Sequence, residues 1–155
     1  MCNKAPINNK TIPCHIMFKD NIKLEELAKF GQNSMQDHLG IEFLELGSDY
    51  IKARMPVDNR TKQPFGILHG GASVALAETL GSIASAATLD LSKKACVGLE
   101  INANHIRSVS NGFVYGIARP FHIGGSTQVW EIKITDEKDR LVCVSRITMM
   151  VIDRK

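Results

Sequence analysis

The sequence predicts an α+β fold in which an antiparallel sheet packs around one long buried helix. The stretch from Gly66 to Leu89 consists of small and apolar residues and carries no charge except that of Glu78, which is typical of a helix inside a protein. After Leu89, apolar and polar residues alternate between short turn sequences, which is the pattern of successive strands. A helix, a hairpin, the long helix and four strands thus follow one another in one domain.

Length and composition are those of an ordinary globular domain. The chain has 155 residues, of which 44% are hydrophobic and 23% are charged, enough for one core. The net charge is +3 without a long basic run, so we expect no nucleic-acid partner. The first residues lack the apolar segment of a signal peptide, and no apolar run reaches the length of a membrane span. We therefore expect a cytoplasmic protein without membrane contact.

The cysteines indicate neither a metal site nor a disulfide framework. None of them forms a CxxC pair or stands at metal-ligand spacing from a histidine. We interpret them as reduced, packed thiols and expect no metal and no cofactor. The four residues are Cys2, Cys14, Cys96 and Cys143.

The first elements are expected to cover one end of the core. Residues 1–20 mix polar residues with two prolines and are predicted to form a flexible arm, and residues 21–155 form the single domain. Within that domain, residues 20–31 combine an acidic start, helical apolar spacing and a final glycine, which predicts a short amphipathic helix. His38 follows as a loop or surface histidine.

The strands are predicted from alternation between turn residues. Residues 41–57, broken at Gly47, predict a hairpin, and the polar residues 58–68 form a loop that leads to the long helix. A surface turn follows that helix. Four further strands are predicted at 97–104, 113–120, 130–134 and 141–152, and Pro120 is expected to end the second of them.

Glu78 is the exception in the long helix. Taking an ionised carboxylate out of water is costly unless the group is paired or hydrogen-bonded. No Lys or Arg stands three or four positions away, where the chain has Val74, Ala75, Gly81 and Ser82. We therefore interpret Glu78 as a reacting group. The alternative is a glutamate at a helix kink that reaches a solvent channel.

His69 lies at the start of this helix, nine positions before Glu78. At about 1.5 Å per residue, the separation is about 13 Å along the axis and half a turn around it. One chain cannot bring both side chains to one small group, which excludes a metal site made by ligands one turn apart. If both residues act on one substrate, they belong to different subunits of a two-fold dimer.

Three segments carry a resemblance to a known family. They are MPVDNRTKQPFGILHGGASVALAETLGSIAS from Met55, VGLEINANHIRS from Val97 and QVWEIKITDEKDRLVCVSRIT from Gln128. They resemble the hotdog-fold acyl-CoA thioesterases, in the branch of 1,4-dihydroxy-2-naphthoyl-CoA hydrolase and the enterobactin-pathway proofreading thioesterase. The resemblance implies a hotdog fold, a curved antiparallel β-sheet wrapped around a long central helix. It also implies an enzyme that hydrolyses an aromatic acyl-CoA to free acid and CoA.

The family pattern implies roles for residues in and before the long helix. Glu78 matches the acid that acts as nucleophile or general base on a thioester held by the other subunit, and the residues leave both routes open. Gln63, His69 and Ser82 match further positions of that site. The other interpretations are a loop amide for Gln63, a histidine that satisfies the helix terminus for His69, and a packing residue for Ser82.

The first turn of the helix is the expected oxyanion site. Its N–H groups at Gly70 and Gly71 are expected to be unpaired and open to close approach, so they can hold the thioester oxygen as it gains charge. His69 and Gln63 are then expected to orient the acyl group.

The resemblance also implies positions that bind the acyl-CoA substrate. Arg107 supplies a cation, and the glycine-containing loop from His122 to Thr127 supplies backbone donors suited to phosphate. Close relatives carry an arginine where Ser126 stands, so this chain lacks that basic group. Without the resemblance, we would interpret His105 as a core histidine at a strand end and His122 as a turn residue. The implied positions are Gly98, His105, Ile106, Arg107, Ser108, His122, Ile123, Gly124, Gly125, Ser126 and Thr127.

The expected assembly is a homodimer with shared active sites, and the resemblance suggests a homotetramer. One alternative function is proofreading of aryl groups misloaded on a carrier protein. Others are a non-catalytic acyl-CoA-binding hotdog module, a hotdog dehydratase and a purely structural dimerisation domain. Menaquinone synthesis, siderophore proofreading and aromatic catabolism all remain open as pathways.

Overall fold

The computed structural model of the chain describes Phe18 and residues 22–154. The predicted flexible arm, residues 1–20, therefore lies outside the described residues except for Phe18, whose side chain is buried in the core. The helices and strands of residues 22–154 share one hydrophobic core. Among them, no helix is both long and apolar enough to cross a membrane.

The described part of the chain forms three helices and six strands. The predicted short helix, hairpin, long helix and four later strands are all confirmed, and a further short helix contains the exposed His38. In chain order the elements are α1 (Leu24–Phe30), α2 (Met35–His38), β1 (Glu42–Leu46), β2 (Ile51–Pro56), α3 (Gly70–Ala87), β3 (Lys94–His105), β4 (Phe113–Ile123), β5 (Thr127–Asp136) and β6 (Leu141–Asp153).

All six strands belong to one antiparallel sheet in the order β1-β2-β4-β5-β6-β3. The strands β1 and β3 are its two edges. The long helix α3 packs on one face and contacts every strand from β2 to β6. This arrangement of a sheet wrapped around one central helix confirms the α+β prediction and the hotdog fold.

Close packing fixes α3 against the sheet. Leu76 and Leu80 are fully buried, and a Cβ added to Gly116 of β4 would stand 2.5 Å from Leu80 Cδ1. On the helix itself, a Cβ added to Gly81 would collide with Ile147 Cγ2 of β6. Helix and sheet therefore approach each other where side chains are absent.

Buried hydrogen bonds attach the end of α3 to the sheet. The Gln128 side chain of β5 is fully buried and donates from Nε2 to Thr88 Oγ1 at 2.8 Å. Its Oε1 accepts from the indole N–H of Trp130 at 3.2 Å. Because an unpaired amide would be costly in this interior, the pairing favours one position of the helix end.

The prediction that α3 is buried on every side is wrong for the single chain. Val74, Glu78, Thr79 and Ser82 are only half-buried, because the sheet covers one side of the helix. Apart from Glu78, the residues of this half-buried stripe are uncharged, which is unusual for a helix surface that faces water.

The prediction that Pro120 ends a strand is also wrong. Strand β4 continues to Ile123, with a register shift between Pro120 and His122. The partner strand β2 pairs with β4 only as far as Ala118, so beyond that residue one side of β4 is open. An open side and a bulge are the places where a strand tolerates a missing N–H.

A bulge in β3 overturns the simple alternation predicted there. The register against β6 shifts between Gly98 and Glu100, and the intervening Leu99 is 56% exposed. Gly98 consequently lies on the side that faces α3, as Ile101 does, instead of sharing the face of Glu100. An extra residue in one strand reverses the faces on either side of it.

Candidate active site

A closed loop between β2 and α3 holds Gln63 and His69. The N–H of His69 donates to the Thr61 carbonyl at 2.8 Å, and the N–H of Gln63 donates to the Ile67 carbonyl at 2.9 Å. At its tip, the N–H of Gly66 donates to the Gln63 carbonyl at 2.9 Å, and Gly66 has a φ of +79° that favours glycine. The main chain of this loop is therefore fixed at both ends.

His69 is the N-cap residue of α3. Its backbone is extended, with φ −71° and ψ 133°, and its Nδ1 accepts a hydrogen bond from the N–H of Gly71 at 2.8 Å. The histidine thus satisfies the helix terminus, as one interpretation held. The prediction of two free glycine N–H groups is wrong, because Gly71 is paired with His69. The N–H of Gly70 has no acceptor among the described residues.

Gln63 is held in a similar manner. Its side-chain Oε1 accepts from the N–H of Phe65 at 2.7 Å, while the Phe65 ring is 89% exposed. Since the oxygen of the amide is engaged, the NH₂ group of Gln63 is directed away from the loop backbone.

Glu78 lies two and a half turns into α3, on its half-buried stripe. Its Oε1 accepts from Ser82 Oγ at 3.3 Å, so this serine contacts the acid from the next helical turn. A Cβ added to Gly98 would stand 2.8 Å from the same oxygen, so the glycine leaves room for the carboxylate. Among the residues that the structure describes, no ion pair involves Glu78.

A cleft of about 260 Å³ opens beside the start of α3 and gathers one group of the predicted residues. Gly70 and His105 lie in contact there, since a Cβ on Gly70 would stand 2.8 Å from His105 Nε2. His105 is exposed, so the interpretation as a core histidine is wrong. The cleft is lined by Ile67, Leu68, Gly70, Ser73, His105, Ile106, Arg107, Ser108 and Val142.

The predicted loop from His122 to Thr127 is a tight turn between β4 and β5. His122 and Ile123 still belong to β4 and Thr127 opens β5, so only residues 124–126 lie outside the strands. The N–H of Gly124 donates to the Thr127 carbonyl at 2.9 Å, and the Ser126 carbonyl accepts from Val151 at 2.9 Å. The loop interpretation is therefore wrong for His122, Ile123 and Thr127, which belong to strands because β4 continues past Pro120.

The predicted residues fall into two groups within one chain. Gln128 next to the turn pairs with Met149, which pairs with Gly98, so the turn lies at the Gly98 end of the sheet together with Glu78. The other group surrounds Gly70 and His105. Along β3, Gly98 and His105 are seven residues apart, which corresponds to about 23 Å. A single chain therefore does not bring the Glu78 carboxylate close to the N-terminus of α3 at Gly70.

Some residues of the site were not predicted. Leu68, Ser73 and Val142 line the cleft at the helix start, and Cys96 donates from Sγ to the Ser82 carbonyl at 3.7 Å. Ser73 was accessible to prediction because it lies one helical turn after Gly70. Val142 comes from a strand far along the chain, and no local pattern indicates its position.

Comparison with known proteins agrees with this geometry. The family described as "Thioesterase superfamily" matches residues 65–143. The 1,4-dihydroxy-2-naphthoyl-CoA hydrolase of Escherichia coli is 50% identical over 137 residues, which are 88% of this chain and 100% of the relative. The proofreading thioesterase EntH of Cronobacter turicensis is 48% identical over 136 residues, 88% of this chain and 98% of the relative.

A solved structure shows the same fold. The crystal structure of a mutant thioesterase from Pseudomonas aeruginosa has a TM-score of 0.87 and 45% sequence identity, covering 89% of this chain and 99% of that one. The family match over residues 65–143 includes the helix that carries Glu78 and the whole of the strands β3, β4 and β5. The chain is therefore a thioester hydrolase that belongs to the thioesterase superfamily.

Proposed function

We propose that this thioesterase hydrolyses the thioester of an aromatic acyl-CoA to free acid and CoA, with Glu78 as the reacting carboxylate. The observation that supports this assignment is the position of Glu78, half-buried, free of ion pairs in the described residues and provided with space by Gly98. A carboxylate that no cation neutralises is available as a base or nucleophile. The relatives named above act on an aromatic acyl-CoA or as proofreading thioesterases.

The active site is shared between two copies of the chain. Strand β3 is an edge of the sheet and is bonded on one side only, to β6. If a second copy pairs antiparallel with the free side of β3, the Gly98 end of one strand lies beside the His105 end of the other. Glu78 then approaches the start of the other copy's α3, and the half-buried stripe of α3 becomes covered.

We extend this to a tetramer of two dimers, as the family resemblance suggests. Val97 and Met150 pair across β3 and β6 and are 42% and 38% exposed, and the neighbouring Ile152 is 38% exposed. They form an apolar strip on the sheet face away from α3, where a second dimer has apolar area to bury. Light scattering coupled to size exclusion measures both the dimer and the tetramer.

Glu78 and the N–H of Gly70 can together carry out the hydrolysis. Glu78 takes a proton from water while the water oxygen attacks the thioester carbonyl carbon, and the carbonyl oxygen becomes an anion held by the N–H of Gly70 in the other copy of the chain. The C–S bond then breaks, and the CoA sulfur receives the proton. In the nucleophilic route, the carboxylate of Glu78 itself attacks, and water later cleaves the resulting anhydride.

The cleft at the helix start suits the CoA portion. Arg107 has an exposed guanidinium at its rim, and Ser108 offers a hydroxyl. At the other end of the sheet, the N–H of Gly124 is used within the turn, but those of Gly125 and Ser126 have no acceptor among the described residues, and the two-fold pairing brings them to the same substrate. Because acyl-CoA thioesters are substrates of the cytoplasm, we propose that this protein acts there.

The test is a panel of aromatic and aliphatic acyl-CoA thioesters followed with a thiol reagent. We expect the highest kcat/KM for benzoyl-type and naphthoyl-type acyl groups. Glu78→Gln should lower kcat by at least about 1000-fold, because it keeps the shape but removes the base. Full activity of Glu78→Gln would contradict the mechanism, and a preference for aliphatic acyl groups would contradict the substrate class.

Proofreading is a second candidate, favoured by the 48% identity to EntH. The two functions differ in the carrier of the aryl group, a protein-bound phosphopantetheine instead of CoA. Comparing kcat/KM for the same aryl group on CoA and on an aryl carrier protein separates them. A value on the carrier protein that exceeds the CoA value would assign proofreading.

A further inference from the structure

The two polar side chains of the closed loop are held by equivalent contacts. Gln63 Oε1 accepts from the N–H of Phe65 at 2.7 Å, and His69 Nδ1 accepts from the N–H of Gly71 at 2.8 Å. In both cases the acceptor atom of the side chain is engaged by the main chain two residues further on. The hydrogen-bonding groups available to a ligand are therefore the atoms of each side chain that these contacts leave free.

The free atoms are donors in both side chains. An amide whose oxygen is engaged presents its NH₂ group, and a neutral imidazole whose Nδ1 accepts carries its hydrogen on Nε2. Gly70 adds a main-chain N–H without an acceptor among the described residues. Gln63 and His69 lie within a loop whose ends are closed by the Thr61–His69 hydrogen bond, and Gly70 follows that loop as the first residue of α3. This loop thus presents a set of N–H donors.

We propose that the main-chain N–H groups of Phe65 and Gly71 are positioning groups that lock Gln63 and His69 as hydrogen-bond donors. The closed loop then recognises an acceptor, and His69 does not serve as a base. The identity of this acceptor, the thioester carbonyl oxygen, rests on the proposed function. The locks themselves are properties of the free protein.

The tautomer of His69 is measured directly by long-range ¹H–¹⁵N correlation of the histidine-labelled protein at alkaline pH, without substrate. We expect the hydrogen on Nε2 and an unprotonated Nδ1, with the signal assigned by its loss in His69→Asn. His38→Asn, at the exposed end of α2, is the matched control and should leave the His69 signal unchanged. A hydrogen on Nδ1 would overturn the proposal.

The lock on Gln63 is measured by hydrogen exchange of the Phe65 amide. Gln63→Glu keeps an oxygen that accepts from Phe65, so slow exchange should persist, whereas Gln63→Ala should exchange about fivefold faster. The matched control is Gln32→Glu on the exposed surface, with no change in exchange. Equal exchange rates in the wild type and Gln63→Ala would show that the lock does not exist.

Donation to the substrate is tested by variants that keep each lock. Asn and Asp both accept from Gly71 as N-cap residues, but only Asn retains an N–H. We expect His69→Asp to lower kcat about 100-fold more than His69→Asn, and Gln63→Glu to lower kcat as much as Gln63→Ala. Equal kcat for the Asn and Asp variants would overturn donation by His69. Absence of any wild-type turnover would instead refute the proposed function and leave the tautomer result standing.

Discussion

Gly98 lies directly against Glu78, and a Cβ on Gly98 would stand 2.8 Å from Oε1 of that carboxylate. The oxygen is the far end of a flexible side chain, so the carboxylate can move aside at little cost in stability. In the proposed mechanism, a displaced carboxylate no longer meets the thioester carbonyl. Stability and activity should therefore separate at this position.

We predict that Gly98→Ala lowers kcat by about 10- to 100-fold, because a shift of about 1 Å in a reacting group is that costly. The free energy of unfolding should change by less than about 1 kcal/mol. Glu78→Asp shortens the acid and restores space, so the double variant should be no less active than Glu78→Asp alone. Steady-state kinetics and thermal unfolding measure both effects, and full activity of Gly98→Ala would contradict the assignment.

Mixed dimers test whether the site is shared. Glu78→Gln and His69→Ala each inactivate one half of every site, and a dimer with one copy of each regains one intact site. Random mixing makes half of the dimers mixed, so activity should recover to about a quarter of the wild type. Activity that stays at the mean of the two variants would show that each chain carries a complete site.

Arg107 is predicted to contribute to CoA binding and not to chemistry. Arg107→Ala should raise KM about tenfold and leave kcat within about twofold, because a guanidinium–phosphate contact is lost in both ground and transition states. Arg119→Ala is the matched control, since Arg119 pairs with Asp49 outside the cleft. An unchanged KM in Arg107→Ala would contradict this role.

Gly81→Ala tests the packing of α3. Alanine favours a helix by about 1 kcal/mol over glycine, but the added methyl collides with the β-branched Ile147 and should cost about 1–3 kcal/mol. We expect a net loss of stability in denaturant unfolding. Gly125→Ala, whose added Cβ has no atom within 4 Å, should leave stability within about 0.5 kcal/mol. Greater stability of Gly81→Ala would contradict the close contact.

Asp136 gives the fold a defined acid dependence. Hydrogen bonds from Arg140, together with the main-chain N–H of Lys138, lower the pKa of this carboxyl from 3.8 to about 2. A lowered folded-state pKa stabilises the protein fully above about pH 3.8, and this contribution is lost as the pH falls towards 2.

We therefore predict that Asp136→Asn is less stable than the wild type at pH 7 and that the difference disappears near pH 2. Denaturant unfolding over a pH series measures this. The control is Asp153→Asn, whose side chain is 84% exposed and whose pairing with Lys94 should contribute little at any pH. A difference between Asp136→Asn and wild type that is constant with pH would contradict the prediction.

Much of the fold was predictable because its patterns are local. The uncharged helix, the hairpin around Gly47 and the strands after Leu89 follow from periodicity and turn residues. The family resemblance then supplied the wrapped sheet. The separation of Glu78 from His69 also followed from helix geometry alone.

The remaining features depend on contacts between distant segments. Whether Pro120 ends β4 is decided by how far β2 extends beside it, and the bulge at Leu99 is decided by the register with β6. The pairing of Gly71 with His69 depends on a side-chain rotamer that no sequence pattern specifies. Such features arise only when the chain has folded.

The bulge at Leu99 has a consequence for the length that β3 can have. Deleting Leu99 would shorten an exposed segment by one residue, a change that sequence comparison treats as minor. Because Gly98 and Glu100 already pair with the consecutive residues Met149 and Thr148, the deletion would join two stretches that are in register and leave every side chain of β3 on its present face. The space beside the Glu78 carboxylate therefore depends on a glycine at position 98 and not on the number of residues in the strand, so β3 can lose one residue here and keep that space open.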